Sequence, residues 1–226
     1  LKVVVGVEKK SRKISDKEKK LTAYHETGHA IVSSNLSSQD PVHQISIVPR
    51  GGAGGYTYYL PKEDKSYMSK NEMIEGIVSL LGGRVAESIF LDDISTGASN
   101  DIERATDIAR NMVTRYGMSD LLGPIAFGNP NEEVFLGRDF GSQKNYSDEV
   151  AFEIDEEIKK IIDGAYNRAK NILAENSEKV HLIANKLMET EKLSGEEFRE
   201  MYFGKTEENK TSEEQSSETE DPSESN

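Results

Sequence analysis

The stretch that most limits what this chain can become is Leu21-Thr22-Ala23-Tyr24-His25-Glu26-Thr27-Gly28-His29-Ala30. It contains His-Glu-x-x-His. On an α-helix, residues four apart lie one turn apart on the same face. His25 and His29 can therefore aim their imidazoles at one centre, as a tetrahedral zinc requires. Glu26 follows the first His, so it sits beside the metal rather than on it. From there it can act as a general base towards a water activated at the metal. The flanking sequence supports a helix from Ser15 to about Leu36. Ser15-x-x-Glu18 has the form of a capping box. Leu21, Tyr24, Gly28, Ile31 and Val32 recur at helical spacing and predict a buried stripe. Gly28 within a helix costs roughly 1 kcal/mol against Ala, which a close approach by a metal or another helix would explain.

The chain has 226 residues, enough for one good-sized domain or two small ones. Its net charge of −13 argues against nucleic acid as a partner. Cysteine is absent, which excludes disulfides and thiolate zinc sites. No apolar run reaches the roughly 18 residues of a membrane span. The chain begins without Met and in mid-pattern, and so reads as a piece of something longer.

Residues 1–14 read as a basic linker. After the first helix, His43 to Pro49 alternates and predicts a strand, and Tyr56 to Leu60 predicts a second, stopped by Pro61. The glycine-rich segment Gly51 to Gly55 between them lacks the Gly-Lys-Ser/Thr ending and following helix of a P-loop. His43 reads as a packing or surface residue. Ser69 to Leu91 predicts a helix capped by Ser69-x-x-Glu72, and Gly82-Gly83 within it predicts close packing against another helix. A polar turn leads to a further helix from about Asp101 to Tyr116, with Asn100-x-x-Glu103 as its expected capping box. Leu121 to Gly141 reads as a loop-rich region that could line a groove, with a short strand at Val134-Phe135-Leu136. Ser147 to Asn176, Ser177 to Glu191 and Ser194 to Phe203 predict a C-terminal helical bundle, in which His181 reads as a core or surface residue. Residues 205–226 carry no apolar side chain beyond Pro222 and read as a disordered acidic tail. The expected fold is mainly α: a helical domain over residues 15–204, with a small antiparallel β-ribbon and a C-terminal helical bundle.

A catalytic zinc usually has three protein ligands and one open position. The third must come from downstream. Glu87 and Asp101 are the candidates, each with an ordinary alternative: an ion pair of Glu87 with Arg84, and a helix-dipole or capping role for Asp101. Spacing alone leaves both open.

Several further segments, in the same order and at the same spacing, resemble the FtsH family of ATP-dependent membrane zinc metalloproteases. They are Pro41-Val42-His43, Ile47-Val48-Pro49-Arg50-Gly51, Gly82-Gly83-Arg84-Val85-Ala86-Glu87, Ser95-Thr96-Gly97-Ala98-Ser99-Asn100-Asp101, Leu122-Gly123-Pro124 and Phe135-Leu136-Gly137-Arg138. Thr27 stands where that family usually has Ala, and Val7 where Pro is common. The resemblance implies that Asp101 is the third zinc ligand and that Glu87 supports the site from behind. It also implies a membrane anchor and an ATPase module that uses ATP, neither in this chain. The whole protein would then be a homo-hexamer at the cytoplasmic face of a bacterial membrane, or its organelle equivalent. The expected activity is zinc-dependent endopeptidase cleavage of unfolded polypeptides. A substrate would lie along the strand at Ile45, Ser46, Ile47 and Val48, joined by main-chain hydrogen bonds. The competing expectation is an acidic helical docking module whose zinc is structural or absent.

Overall fold

The computed structural model describes residues 15–50, 53–61, 65–91, 93–127 and 146–204. The linker expected over 1–14, the strand expected at Val134–Leu136 and the tail expected over 205–226 lie outside them. Among the described residues there are six α-helices and one three-stranded sheet. The order is α1 (Asp16–Ser34), β1 (Val42–Ser46), β2 (Tyr56–Tyr59), α2 (Lys70–Phe90), a 3-10 turn (Thr96–Ala98), α3 (Ser99–Thr114), α4 (Asp148–Glu175), α5 (Ser177–Thr190), β3 (Lys192–Ser194) and α6 (Gly195–Phe203). The mainly-α class with a small antiparallel sheet and a C-terminal helical group is what the periodicities predict.

Local chemistry sets the helix starts. Ser15 Oγ accepts from Glu18 N–H while Glu18 accepts from the Ser15 N–H, so the capping box forms. Ser69 with Glu72 and Ser194 with Glu197 repeat it at α2 and α6. The box expected at Asn100 does not form. The 3-10 turn feeds directly into α3, which starts at Ser99 and has at its N-cap Ala98, whose side chain makes no capping hydrogen bond. The local cap is instead Ser95, whose Oγ accepts from Gly97 N–H at 3.0 Å. Asn100 and Asp101 therefore lie in the first turn of α3 rather than before it.

Two glycines let α1 and α2 cross at backbone contact. A Cβ on Gly28 would stand 2.5 Å from Gly82 O, and one on Gly82 would stand 2.8 Å from Gly28 O. No side chain fits at either position without parting the helices. The burial pattern agrees: residues 23–33 of α1 are all buried, as are Ile77, Val78, Leu81, Val85, Ala86 and Glu87 of α2. The core continues through Ala105, Ala109 and Met112 of α3 and Ile154, Ile158 and Ala169 of α4. It then closes over Ile183 and Leu187 of α5 and Phe198 of α6.

Glu75 pins this assembly from the side. It is 2% exposed on α2. Its carboxylate accepts from Ser38 N–H at 2.8 Å, Ser38 Oγ at 2.6 Å and the Arg168 guanidinium of α4 at 2.8 Å. Burial would raise its pKa, but these donors outweigh that and hold it below the ordinary value.

The sheet corrects one expectation. Its order is β2-β1-β3, so β1 is the central strand. Ile45 pairs with Thr57 on one side and Leu193 on the other, Ser46 pairs with Tyr56 and Lys192, and Ile47 N–H donates to Glu191 O at 3.0 Å. Ile45, Ser46 and Ile47 are buried, and Val48 N–H donates to Ser46 Oγ. This strand has no edge to offer a substrate. Among the described residues, the sheet's outer edges belong to β2 and β3, and of these only β2 borders the cleft that holds His25, Glu26 and His29.

Candidate metal centre and active site

α1 presents His25, Glu26 and His29 towards α2, the first turn of α3 and β2. The two imidazoles meet edge to face, with ring centroids 4.7 Å apart, and their Nε2 atoms are 3.1 Å apart. Asp101 Oδ2 lies 3.4 Å from each Nε2. Zn–ligand bonds of about 2.0–2.1 Å put the ligand atoms of a tetrahedral site roughly 3.3–3.4 Å apart. Two edges of the His25–His29–Asp101 triangle match and the Nε2–Nε2 edge, at 3.1 Å, is about 0.2 Å short, so the donor set fits a zinc ion in element type and closely in spacing. These three side chains form the one candidate metal group among the described residues.

The other ring nitrogens are held from behind. His25 Nδ1 is 2.8 Å from Glu87 Oε1, and His29 Nδ1 is 2.9 Å from the main-chain O of Ser79. An acceptor at each Nδ1 fixes a tautomer with the proton there, leaving Nε2 free to ligate. Glu87 is fully buried, and it accepts from Ser95 N–H at 2.8 Å and Ser95 Oγ at 3.1 Å. Arg84 Nη1 approaches its other side at 3.7 Å. Of the two carboxylates open at the sequence level, Asp101 stands on the Nε2 side of the rings and Glu87 on the Nδ1 side. Gly83 lies directly under the rings: a Cβ there would be 2.5 Å from His25 Cε1 and 2.6 Å from both Nε2 atoms. The Gly82-Gly83 pair thus has two reasons, the first a helix crossing and the second room for the imidazoles.

The electrostatics of the cluster favour a cation. Burial alone would lower His25, but its hydrogen bonds to Asp101 and Glu87 outweigh that and raise its pKa to about 10. Asp101 is desolvated, yet its two His neighbours hold it well below the ordinary carboxyl range. Burial pushes Glu26 up, against the pull of His25, His29 and the Thr57 hydroxyl. Zinc binding would replace the extra proton on His25, since ligating imidazole is neutral.

Glu26 is 6% exposed. Thr57 Oγ1 on β2 donates to Glu26 Oε2 at 2.8 Å, and no other described residue donates to that carboxylate. The site opens into a cleft of about 970 Å³. One wall is Gly54, Gly55, Tyr56, Thr57 and Tyr59, and the other holds Thr96, Gly97, Asn100, Asp101 and Arg104.

Thr57, Ser79, Ser95 and Gly83 were not singled out for these contacts from the sequence. Ser79 acts through its main-chain carbonyl, which no side-chain pattern reveals. Thr57 offers only strand alternation as a signal. His43 is exposed against Tyr58, and His181 contacts the Tyr24 hydroxyl at 2.8 Å and the Phe90 ring. Neither joins the centre, as composition suggested.

Two His one turn apart, a carboxylate from another helix and a buried Glu beside an open cleft define the class of metal-dependent peptidases built on a His-Glu-x-x-His helix. The model of peptidase family M41 matches residues 12–201. The chain belongs to that family. It is 62% identical over 202 residues to an ATP-dependent zinc metalloprotease FtsH of Caldicellulosiruptor bescii, covering 89% of this chain and 33% of that protein. Similar relatives are FtsH 1 of Thermoanaerobacter sp. (62% over 202 residues, 89% and 33%) and FtsH of Bacillus subtilis (52% over 200 residues, 88% and 31%). The chain spans about a third of the length of these relatives. No helix among the described residues is long and apolar enough to cross a membrane.

Proposed function

We propose that this chain is a zinc-dependent endopeptidase acting on unfolded polypeptides, with His25, His29 and Asp101 as metal ligands and Glu26 as general base. The observation that carries this reading is the triangle of two Nε2 atoms and one carboxylate oxygen, with 3.1–3.4 Å edges, open to a cleft. Three protein ligands leave room for a fourth position, unlike a closed structural site. A bound zinc would supply Lewis acidity towards a peptide carbonyl and lower the pKa of water towards about 7.

The chain's own residues do the rest. Glu26 takes the proton from the attacking water as its oxygen joins the carbonyl carbon. It then hands that proton to the departing amine as the C–N bond breaks. Burial raises the carboxylate's basicity and so suits it to both transfers. Glu87 and the Ser79 carbonyl keep the two imidazoles aimed.

Substrate would lie extended along the open edge of β2, not along β1. Main-chain groups carry most of such an interaction, so sequence specificity is weak. A peptidase of this kind suits unfolded chains and leaves tightly folded proteins intact. The ATP dependence in the names of the FtsH relatives supports delivery by an ATPase module elsewhere in the whole protein. Assembly as a ring of six, held at the cytoplasmic side of a membrane by segments outside this chain, completes the reading.

The test is Glu26→Gln in the zinc-loaded chain. It should keep its zinc and lose at least about 100-fold in cleavage of casein or an unstructured peptide, the usual worth of a general base. Chelator should abolish wild-type cleavage. Wild-type rates in Glu26→Gln, or chelator-resistant cleavage, would overturn the proposal.

A further inference from the structure

β2 touches the catalytic machinery in two ways at one residue. In antiparallel strands, main-chain groups point alternately to the two sides. Leu60 N–H donates to Pro41 O, towards β1. Counting back by twos, Tyr58 and Tyr56 also turn their main-chain groups to β1, facing Gln44 and Ser46. On β1 the alternation agrees, since Ile47 N–H donates to Glu191 O on the other side. The main-chain N–H and C=O of Thr57 and Tyr59 therefore face the open edge of β2. Side chains alternate as well, but above and below the sheet. Tyr56 and Tyr58 lie over one face, meeting Gln44 and His43. Thr57 points to the other, where its hydroxyl is 2.8 Å from Glu26 Oε2 and 3.2 Å from Glu26 O.

The geometry points to Thr57 as a positioning residue that ties the general base to the substrate-docking edge: its main chain takes the extended peptide while its side chain orients the Glu26 carboxylate. The inference rests on the peptidase reading above and adds a role for a residue outside the His-Glu-x-x-His helix. A hydroxyl has one proton to give, and the shorter contact assigns it to Oε2. That leaves Oε1 as the acceptor for the attacking water. Gly55 walls that oxygen closely, since a Cβ there would be 2.9 Å from Oε1. The carboxylate is thus set between a donor on one oxygen and bare backbone beside the other. Peptide adding to β2 would stiffen the strand that carries the donor, so docking and base orientation are linked through one residue.

Thr57→Val keeps the shape and strand preference and removes only the hydroxyl. Thr57→Ser keeps the hydroxyl. With the zinc-loaded chain and a quenched fluorescent peptide, Thr57→Val should lower kcat by about tenfold or more, a part of the general base's worth, and leave KM within about twofold. Thr57→Ser should restore most of the kcat. In a Glu26→Gln background, Thr57→Val should leave peptide Kd and zinc content unchanged, because edge and ligands are untouched. Wild-type kcat in Thr57→Val, equal impairment in Thr57→Ser, or a loss confined to KM, Kd or zinc content would overturn the inference. If the wild-type chain cleaves nothing, the peptidase reading itself fails. The crystal structure of Thr57→Val then decides positioning alone: a Glu26 carboxylate turned from its place supports it, and an unmoved one refutes it.

Discussion

Gly83→Ala separates metal binding from folding more sharply than any change to a ligand. The added methyl would stand 2.6 Å from His25 Nε2, 2.6 Å from His29 Nε2 and 2.5 Å from His25 Cε1. Ordinary carbon contacts are about 3.5–4.0 Å, so the rings must retreat by roughly 1 Å. Both are held from behind, His25 by Glu87 and His29 by Ser79 O, so retreat breaks a hydrogen bond or tilts the ring. Losing a supporting partner alone costs about 10–100-fold in metal affinity. Displacing both ligands should cost at least about 100-fold, near 3 kcal/mol. The fold responds less. Gly83 is inside α2, where Ala is favoured by roughly 1 kcal/mol, which offsets part of the about 1–3 kcal/mol lost with a buried hydrogen bond, so the metal-free protein should lose no more than about 2 kcal/mol. Zinc affinity is read by competition with a chromophoric chelator, and metal-free stability by urea unfolding in EDTA. Zinc affinity within threefold of wild type would refute the packing account, and a collapse of metal-free stability would show that Gly83 serves the fold rather than the rings.

Other substitutions test other contacts. Asp101→Ala should abolish tight zinc binding, whereas Glu87→Ala should weaken it by about 10–100-fold, measured by metal content after dialysis; full zinc in the Asp101 variant would reverse the assignment. Thr27 is wholly buried and its hydroxyl has no hydrogen-bond partner. Thr27→Val should therefore stabilise the fold by about 1 kcal/mol in urea unfolding, since an unsatisfied buried hydroxyl costs roughly 1–3 kcal/mol. The folded-state pKa of Glu75 is depressed, so its stabilisation is full above its unfolded value of about 4.3 and is lost as pH falls through the lower folded value. Glu75→Gln should cost about 2 kcal/mol at neutral pH, the worth of charged hydrogen bonds, and flatten the loss of stability below about pH 5. An unchanged acid limb would remove Glu75 from the account.

How much could be read in advance depended on the range of each interaction. The first helix, its Ser15–Glu18 box and the shared face of His25 and His29 are local, with every partner within four residues. The Gly82-Gly83 pair was legible as a close approach, though not as two approaches to different targets. Asp101 and Glu87 were indistinguishable by spacing because their sides of the rings depend on how α2 and the turn before α3 pack. β1 was expected to offer a free edge for a similar reason. β3 is three residues long and begins after Glu191, whose left-handed φ of 62° ends α5. So short a segment has no periodicity, yet it covers the side of β1 that the sequence left open. The Asn100 box failed because the 3-10 turn starts the helix two residues early.

The central claim is that two imidazoles and Asp101 hold one zinc with a position left for solvent. The direct measurement is a crystal structure of the zinc-loaded chain, with the metal located by anomalous scattering at the zinc edge. The account predicts one zinc at about 2.0–2.2 Å from His25 Nε2, His29 Nε2 and an Asp101 oxygen, its fourth position facing the cleft. Zinc elsewhere, Asp101 outside its ligands, or a fourth protein side chain closing the site would contradict it.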